Sequence, residues 1–454
     1  MKQETESELR QVVGDDHVLR QDEVPPPAWD TGQPFLGELV LRPGTVEEVS
    51  QVLAICNRDA IPVVPMGGVT GLVQGCATKN GDVGLSLERM NQIEEVDPLA
   101  QTLSAEAGVT LRAAQQAAEE QGLYFPVDIG ARDNCMLGGN VSTNAGGTRV
   151  IRYGMMRDSI LGLEAVLADG TVVSSMNRYL KNNSGYDLKQ LFIGTEGTLG
   201  IVTRIIARLD VAPRSHSVGL LAVENYDHVV SLLQHARLQI GARLCGFEVM
   251  WDSFYRKATS PEGPQTSPFE TRHPFYVLLE ATGTDPATDA DAFEAALLAA
   301  IDSGLAVDGV IANSDRERDS IWAIRHEVEW LVRDAFNFDV SLRIADAGSY
   351  VERLEQSIHS QFPEAFVAAF GHLGDNNVHL SILGGEESDV QRHVYETLSP
   401  FEGAVSAEHG IGLEKRQYLP VSRSATEIAL MARLKQTLDP KGILNPGKVI
   451  DSVN

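Results

Sequence analysis

The stretch FPVDIGARDNCMLGGNVSTNAGG, Phe125 to Gly147, decides how the rest of the chain is read. Its second half, Gly138 to Gly147, sets two glycine pairs around small polar residues, a composition that predicts neither regular helix nor strand. A backbone without Cβ atoms can press against a ligand. Ser142, Thr143 and Asn144 add short hydrogen-bonding groups. Successive N–H groups in such turns form concave anion sites. A single loop of this kind is explained equally well as a surface connection. A second one precedes it, however: Pro62 to Pro65 reads as a short buried strand, and Met66-Gly67-Gly68-Val69-Thr70-Gly71-Leu72 follows at once. A third small-residue turn, Ile193 to Val202, holds Glu196 among glycines. Three such loops point to one extended ligand carrying phosphates.

The motifs PMGGVTGL, PVDIGARDNCMLGGNVSTNAGG, RYGMMRDSILGLEAVLADGTVV and LKNNSGYDLKQLFIGTEGTLGIVT, in that order, resemble the FAD domain of the vanillyl-alcohol-oxidase / p-cresol-methylhydroxylase (PCMH) superfamily. Within it the chain is most similar to D-lactate and D-2-hydroxyglutarate dehydrogenases, from about Pro34 to the C-terminus. The resemblance implies FAD contacts at Pro65, Met66, Gly67, Gly68, Val69, Thr70, Gly71, Leu72, Pro126, Gly138, Gly139, Asn140, Ser142, Thr143, Asn144, Gly146, Gly147, Tyr153, Gly154, Glu196, Gly200, Ile201 and Asn445. Some relatives tether the flavin through a histidine directly after the glycine pair. Val69 stands there and has no nucleophile, so a non-covalent FAD is expected.

A length of 454 residues exceeds one core and predicts two or three domains. The net charge of −26 repels nucleic acid and anionic membrane surfaces, so an anionic substrate needs locally placed cations. Cys56, Cys76, Cys135 and Cys245 form no C-x-x-C pair, which suits a reducing cytoplasm. The polar N-terminus shows no signal peptide and no apolar run is long enough for a membrane span.

Residues 1–33 read as an N-terminal arm, 34–213 as the PCMH-type FAD-binding domain, 214–400 as an α+β cap for the substrate with an antiparallel sheet, and 401–454 as a helical segment returning to the FAD domain. Helical spacing of Val46, Val49, Val52, Leu53 and Cys56, behind Thr45 with Glu48 at capping-box distance, predicts a helix over 46–58. Asp169-Gly170 reads as a type I′ hairpin turn, and 315–335 as one helix. Strands and helices alternate irregularly, so the fold class expected is α+β. Gly442 to Lys448 matches the G-x-x-x-x-G-K frame of an NTPase loop, but Pro446 lacks a donor and Val449 replaces the Ser/Thr that holds magnesium.

Chemistry concentrates further on. His372 and His379 in GHLGDNNVHL face opposite sides of a straight strand, but Gly374-Asp375-Asn376-Asn377 is turn chemistry that folds the strand back. SAEHGIG adds Glu408 and His409. Two histidines and a carboxylate suit zinc or another divalent metal. By resemblance His372, His379 and Glu408 are metal ligands and His409 the catalytic base. The resemblance also implies that Arg325, in a W-x-x-R setting, binds the substrate carboxylate, which its planar fork can hold with two bonds. The chain departs from the 2-hydroxyglutarate enzymes at Glu329, Asn337 and Ser381, where relatives carry threonine, lysine and asparagine. A glutamate there repels a second carboxylate, leaving Arg343 as a replacement cation or a substrate with a hydroxyl-bearing tail.

The reading is an FAD-dependent dehydrogenase that oxidises a small anionic D-2-hydroxy acid to the 2-oxo acid. The hydride passes to FAD N5 and His409 serves as base. No nicotinamide site is visible, so the electron acceptor expected is a quinone or an electron-transfer flavoprotein. Oligomeric state stays open, a homodimer included. A metal-dependent hydrolase, a flavin-binding protein without turnover and a superfamily oxidase acting on a non-acid alcohol are the rivals.

Overall fold

The computed structural model describes residues 1–27, 34–260, 265–328 and 334–450. The chain divides into two units. The first comprises Met1–Gly147, Gly154–Ala212 and Glu408–Asn454, and the second Thr148–Tyr153 and Pro213–Ala407. Both mix helices with sheets, as an α+β chain should.

In the first unit a four-stranded sheet runs in the order Val18–Arg20, Leu39–Leu41, Val83–Ser86, Val63–Met66. Leu39–Leu41 and Val63–Met66 both lie parallel to Val83–Ser86, and Val18–Arg20 is antiparallel at the edge. Helix Val46–Asp59 covers this sheet's core with Val49, Val52, Leu53 and Cys56. The Thr45 side chain accepts from Glu48 N–H, while the Glu48 carboxylate reaches Gly44 N–H, so the two caps serve neighbouring residues. A five-stranded antiparallel sheet follows, in the order Ile93–Asp97, Thr102–Glu106, Ile201–Arg208, Ile160–Val166, Val172–Ser175.

Residues 1–27, read from sequence as an arm leading into the first domain, are built into the first unit. Helix Gln3–Val13 buries Leu9 and Val13 in the same core, and Val18–Arg20 is a sheet strand. The glycine-rich stretch, expected to be irregular, contains a short helix, Leu137–Thr143. Gly138 in it lies close to Ala107, where an added Cβ would sit 2.6 Å from the Ala107 side chain, and Asn144 ends it at φ +52. The 169–170 turn is not type I′, which needs two positive φ values. Of its residues only Gly170 has one, +87, and the Gly170 N–H to Leu167 carbonyl bond makes it a type I turn closed by a left-handed glycine.

The second unit carries a seven-stranded antiparallel sheet in the order Asp308–Ile311, Ser215–Val223, Phe275–Gly283, Leu244–Trp251, Phe366–Gly371, Asn377–Leu383, Phe336–Ser341. The unit runs to Ala407, beyond the expected boundary at residue 400. The helix expected over 315–335 spans Asp315–Arg325, and residues 329–333 lie outside the described ones. No helix among the described residues is long and apolar enough to cross a membrane.

Candidate functional site

In the first unit the strand end at Met66 and the helix Leu137–Thr143 face a cavity of about 320 Å³. Its wall includes Pro65, Met66, Gly67, Gly68, Val69, Thr70, Gly71, Leu72, Gly138, Gly139, Asn140, Ser142, Thr143, Gly146, Glu196, Ile201, Glu408, His409 and Asn445. Pro126, Asn144, Gly147, Gly154 and Gly200 are not on that wall, and Tyr153 belongs to the second unit. The resemblance implies contacts at these positions too, and Gly147 and Gly200 also pack against protein neighbours. An added Cβ would meet the Asp128 carbonyl at 2.0 Å and the Phe192 ring at 2.8 Å.

The cavity fits a large phosphate-bearing cofactor on three counts. Nothing lies within 4 Å of a Cβ built on Gly139, so any side chain there would fill the cavity. Among the described residues the N–H groups of Gly68, Val69, Thr70 and Gly71 make no hydrogen bond, which leaves a run of donors for an anion. The buried Asn445 Oδ1 has no partner, while its Nδ2 donates to the Gly75 and Glu196 carbonyls. Val69, Glu196 and Asn445 hold positive φ values of +51, +53 and +40 on this wall, a concentration of backbone strain typical of binding sites.

Glu196 ties the wall together. Its N–H donates to the Ser142 carbonyl at 2.8 Å. Its carboxylate accepts from Ile411 N–H at 2.7 Å and Gly412 N–H at 2.9 Å, which fixes the loop that begins at His409. Burial raises its pKa above the ordinary carboxylate range, against the pull of those two N–H groups. Glu408 accepts from Gly147 N–H at 3.1 Å.

In the second unit strands Phe366–Gly371 and Asn377–Leu383 form the hairpin that the turn residues predicted. Asn376 takes φ +77 at its tip, and the His372 and His379 rings come to 5.1 Å between centroids. His372 Nδ1 meets Glu248 Oε1 at 2.6 Å, and Arg325 Nε donates to Glu248 Oε2 at 2.7 Å. Arg325 lies over the Phe370 ring, 4.6 Å from its centroid. Burial pushes the Glu248 carboxyl up, but the charges and bonds of His372 and Arg325 outweigh it and hold the group below the ordinary value. Asp339, also fully buried, accepts from Ala407 N–H at 2.9 Å and anchors the end of the unit next to Glu408.

The remaining predicted substrate residues are placed differently. Ser381 Oγ donates to Asn337 Oδ1 at 2.6 Å across the strand pair. Arg343 is 78% exposed and bound to Asp346 at 2.6 Å. Glu329 lies outside the described residues. Sequence reasoning missed Glu248 and Asp339. Glu248 had a signal, a lone acid inside the apolar run LCGFEVMW.

Residues 212–449 match the family described as FAD linked oxidases, C-terminal domain, and residues 37–175 match the FAD binding domain. A D-2-hydroxyglutarate dehydrogenase of Xanthomonas citri pv. viticola is 40% identical over 422 residues, 90% of this chain and 88% of that protein. The mitochondrial D-2-hydroxyglutarate dehydrogenase of Bos taurus is 38% identical over 453 residues, 97% of this chain and 82% of that protein. The structure of p-cresol methylhydroxylase with substrate bound superposes with a TM-score of 0.76 at 18% identity, over 99% of this chain and 97% of that one, a likeness of fold.

Proposed function

The chain belongs to the FAD-linked oxidase family and is an FAD-dependent oxidoreductase, and from that premise we propose that it oxidises a D-2-hydroxy acid to the 2-oxo acid. The observation that carries this reading is the presence of His409 on the wall of the glycine-lined cavity. When bound, FAD supplies the acceptor for the hydrogen on the α-carbon. His409 takes the hydroxyl proton at a ring nitrogen, a transfer suited to imidazole near neutrality. The Arg325 guanidinium, stacked on Phe370, receives the substrate carboxylate with its planar fork.

His372, His379 and Glu408 hold a divalent metal, zinc in the first instance. Such an ion would supply Lewis acidity there. Support comes from the donor set itself and from the bond between His372 Nδ1 and a buried carboxylate, the arrangement usual behind metal-bound imidazoles. Val69 offers no nucleophile for a tether, so FAD would be held non-covalently, with a quinone or an electron-transfer flavoprotein as its external acceptor. The four free cysteines favour a reducing compartment, the cytoplasm in this reading.

One observation favours a refinement of substrate. Arg343 is exposed and engaged with Asp346, and Asn337 and Ser381 bond each other, so these positions suit an uncharged, hydroxyl-bearing tail better than a second carboxylate.

The test is anaerobic. The purified yellow protein is mixed with D- and L-2-hydroxy acids, including D-2-hydroxyglutarate, D-lactate and sugar acids, with and without a chelator. Bleaching by D-acids only, slowed by the chelator, is the expected result. A colourless protein would favour a metal hydrolase, and a yellow protein that no hydroxy acid bleaches would end the proposal. Bleaching fastest with D-2-hydroxyglutarate would overturn the uncharged-tail refinement alone.

A further inference from the structure

We propose that Glu248 is a positioning residue that sets both halves of the substrate grip, orienting Arg325 for the substrate carboxylate and His372 for the metal through one shared side chain. The inference rests on the reading above. Glu248 sits in strand Leu244–Trp251, in which every residue is buried, and it is itself 0% exposed. Each of its oxygens has a separate partner, Arg325 Nε at 2.7 Å and His372 Nδ1 at 2.6 Å.

Charge balance alone does not account for this arrangement. One buried arginine neutralises one buried glutamate, and an ion pair needs no third partner. The second oxygen is spent on an imidazole. A carboxylate only accepts, so His372 donates from Nδ1, which leaves Nε2 as the ring nitrogen for a metal. Arg325 is fixed in the same way. With Nε engaged by Glu248 and the Phe370 ring 4.6 Å away, the terminal guanidinium nitrogens form the edge that meets a planar anion. Phe370 also lies 5.2 Å from the His379 ring, so the same aromatic side chain supports both groups. A shift of the Glu248 carboxylate therefore moves the carboxylate-binding arginine and the metal-binding imidazole together.

The test compares wild type, Glu248→Gln and His372→Asn as holoenzymes. Affinity for Zn²⁺ and Mn²⁺ is measured by competition with a chromogenic chelator. Flavin content and melting temperature serve as checks on folding, and KM and kcat are measured on whichever acid bleaches the flavin. Glu248→Gln keeps the volume and removes the charge. It should hold FAD at the wild-type ratio, bind metal about 10- to 100-fold more weakly, and show a raised KM. Wild-type metal affinity and KM in Glu248→Gln overturn the inference and leave the functional reading standing. A wild-type protein whose metal uptake is the same as that of His372→Asn overturns both. Because removing a buried charge can disturb folding, a second measurement uses the wild type. In metal-free protein labelled with ¹⁵N-histidine, the resonance lost in His372→Asn should belong to an Nδ1–H tautomer, and an Nε2–H tautomer overturns the inference.

Discussion

Substituting Glu280 with glutamine tests the electrostatic reading of the cap unit. Glu280 lies in strand Phe275–Gly283, is 0% exposed, and contacts Arg149 at 3.2 Å and His216. Burial raises its pKa, but the His216 bond and the Arg149 charge outweigh burial and bring the group from the ordinary 4.5 down to about 2. A carboxyl depressed in the folded state contributes stability that is fully present above the unfolded pKa and lost as pH falls through the folded one. The difference corresponds to about 3 kcal/mol at pH 7, and less than half of it survives at pH 3. Glu280→Gln keeps the volume and removes the charge. For a unit of roughly 200 residues this predicts a melting point about 6–12 °C lower at neutral pH. Melts and hydrogen exchange over residues 275–283 should show a constant gap from pH 7 to pH 5.5 and a clearly smaller one at pH 3. A gap that does not change with pH, or no gap at neutral pH, would refute the assigned ion pair.

Three further outcomes are expected. Gly139→Leu points a side chain into open cavity space, so the protein should fold but purify with little FAD; full flavin occupancy would contradict the placement of the cofactor. Arg325→Lys loses the planar fork, and KM for the acid should rise about 10- to 100-fold with flavin content unchanged, whereas an unchanged KM removes Arg325 from substrate binding. Burial holds the Glu196 carboxyl above its ordinary range, so its contribution to stability is present at low pH and lost as pH rises through the folded pKa. The melting temperature of Glu196→Gln relative to wild type should therefore increase between pH 5 and pH 7, and a decrease would contradict the assignment.

The glycine loops were legible because glycine composition reports close approach directly: the Cβ missing at Gly68 would sit 1.8 Å from the Asn134 carbonyl oxygen. The helix Val46–Asp59 was legible because its cap and its apolar spacing agree. Local composition misled at Leu137–Thr143, a helix built from residues whose intrinsic preference is for irregular backbone. The hairpin bearing His372 and His379 was legible from its turn residues. The residues that hold those groups were not, since Glu248 and Asp339 act across strands distant in sequence, and in Leu244–Trp251, buried along its whole length, the alternation that marks faces disappears. What remains visible is an acid interrupting an apolar run, in LCGFEVMW and again in FYVLLEATG, and each marks a buried charge with partners.

The six residues Thr148–Tyr153 belong to the second unit although the chain on both sides belongs to the first, and they contain Arg149, the partner of Glu280. During synthesis Arg149 leaves the ribosome 131 residues before the carboxylate it pairs with. A gene fragment encoding residues 213–407 alone would lack Arg149 and leave the buried Glu280 without that cation.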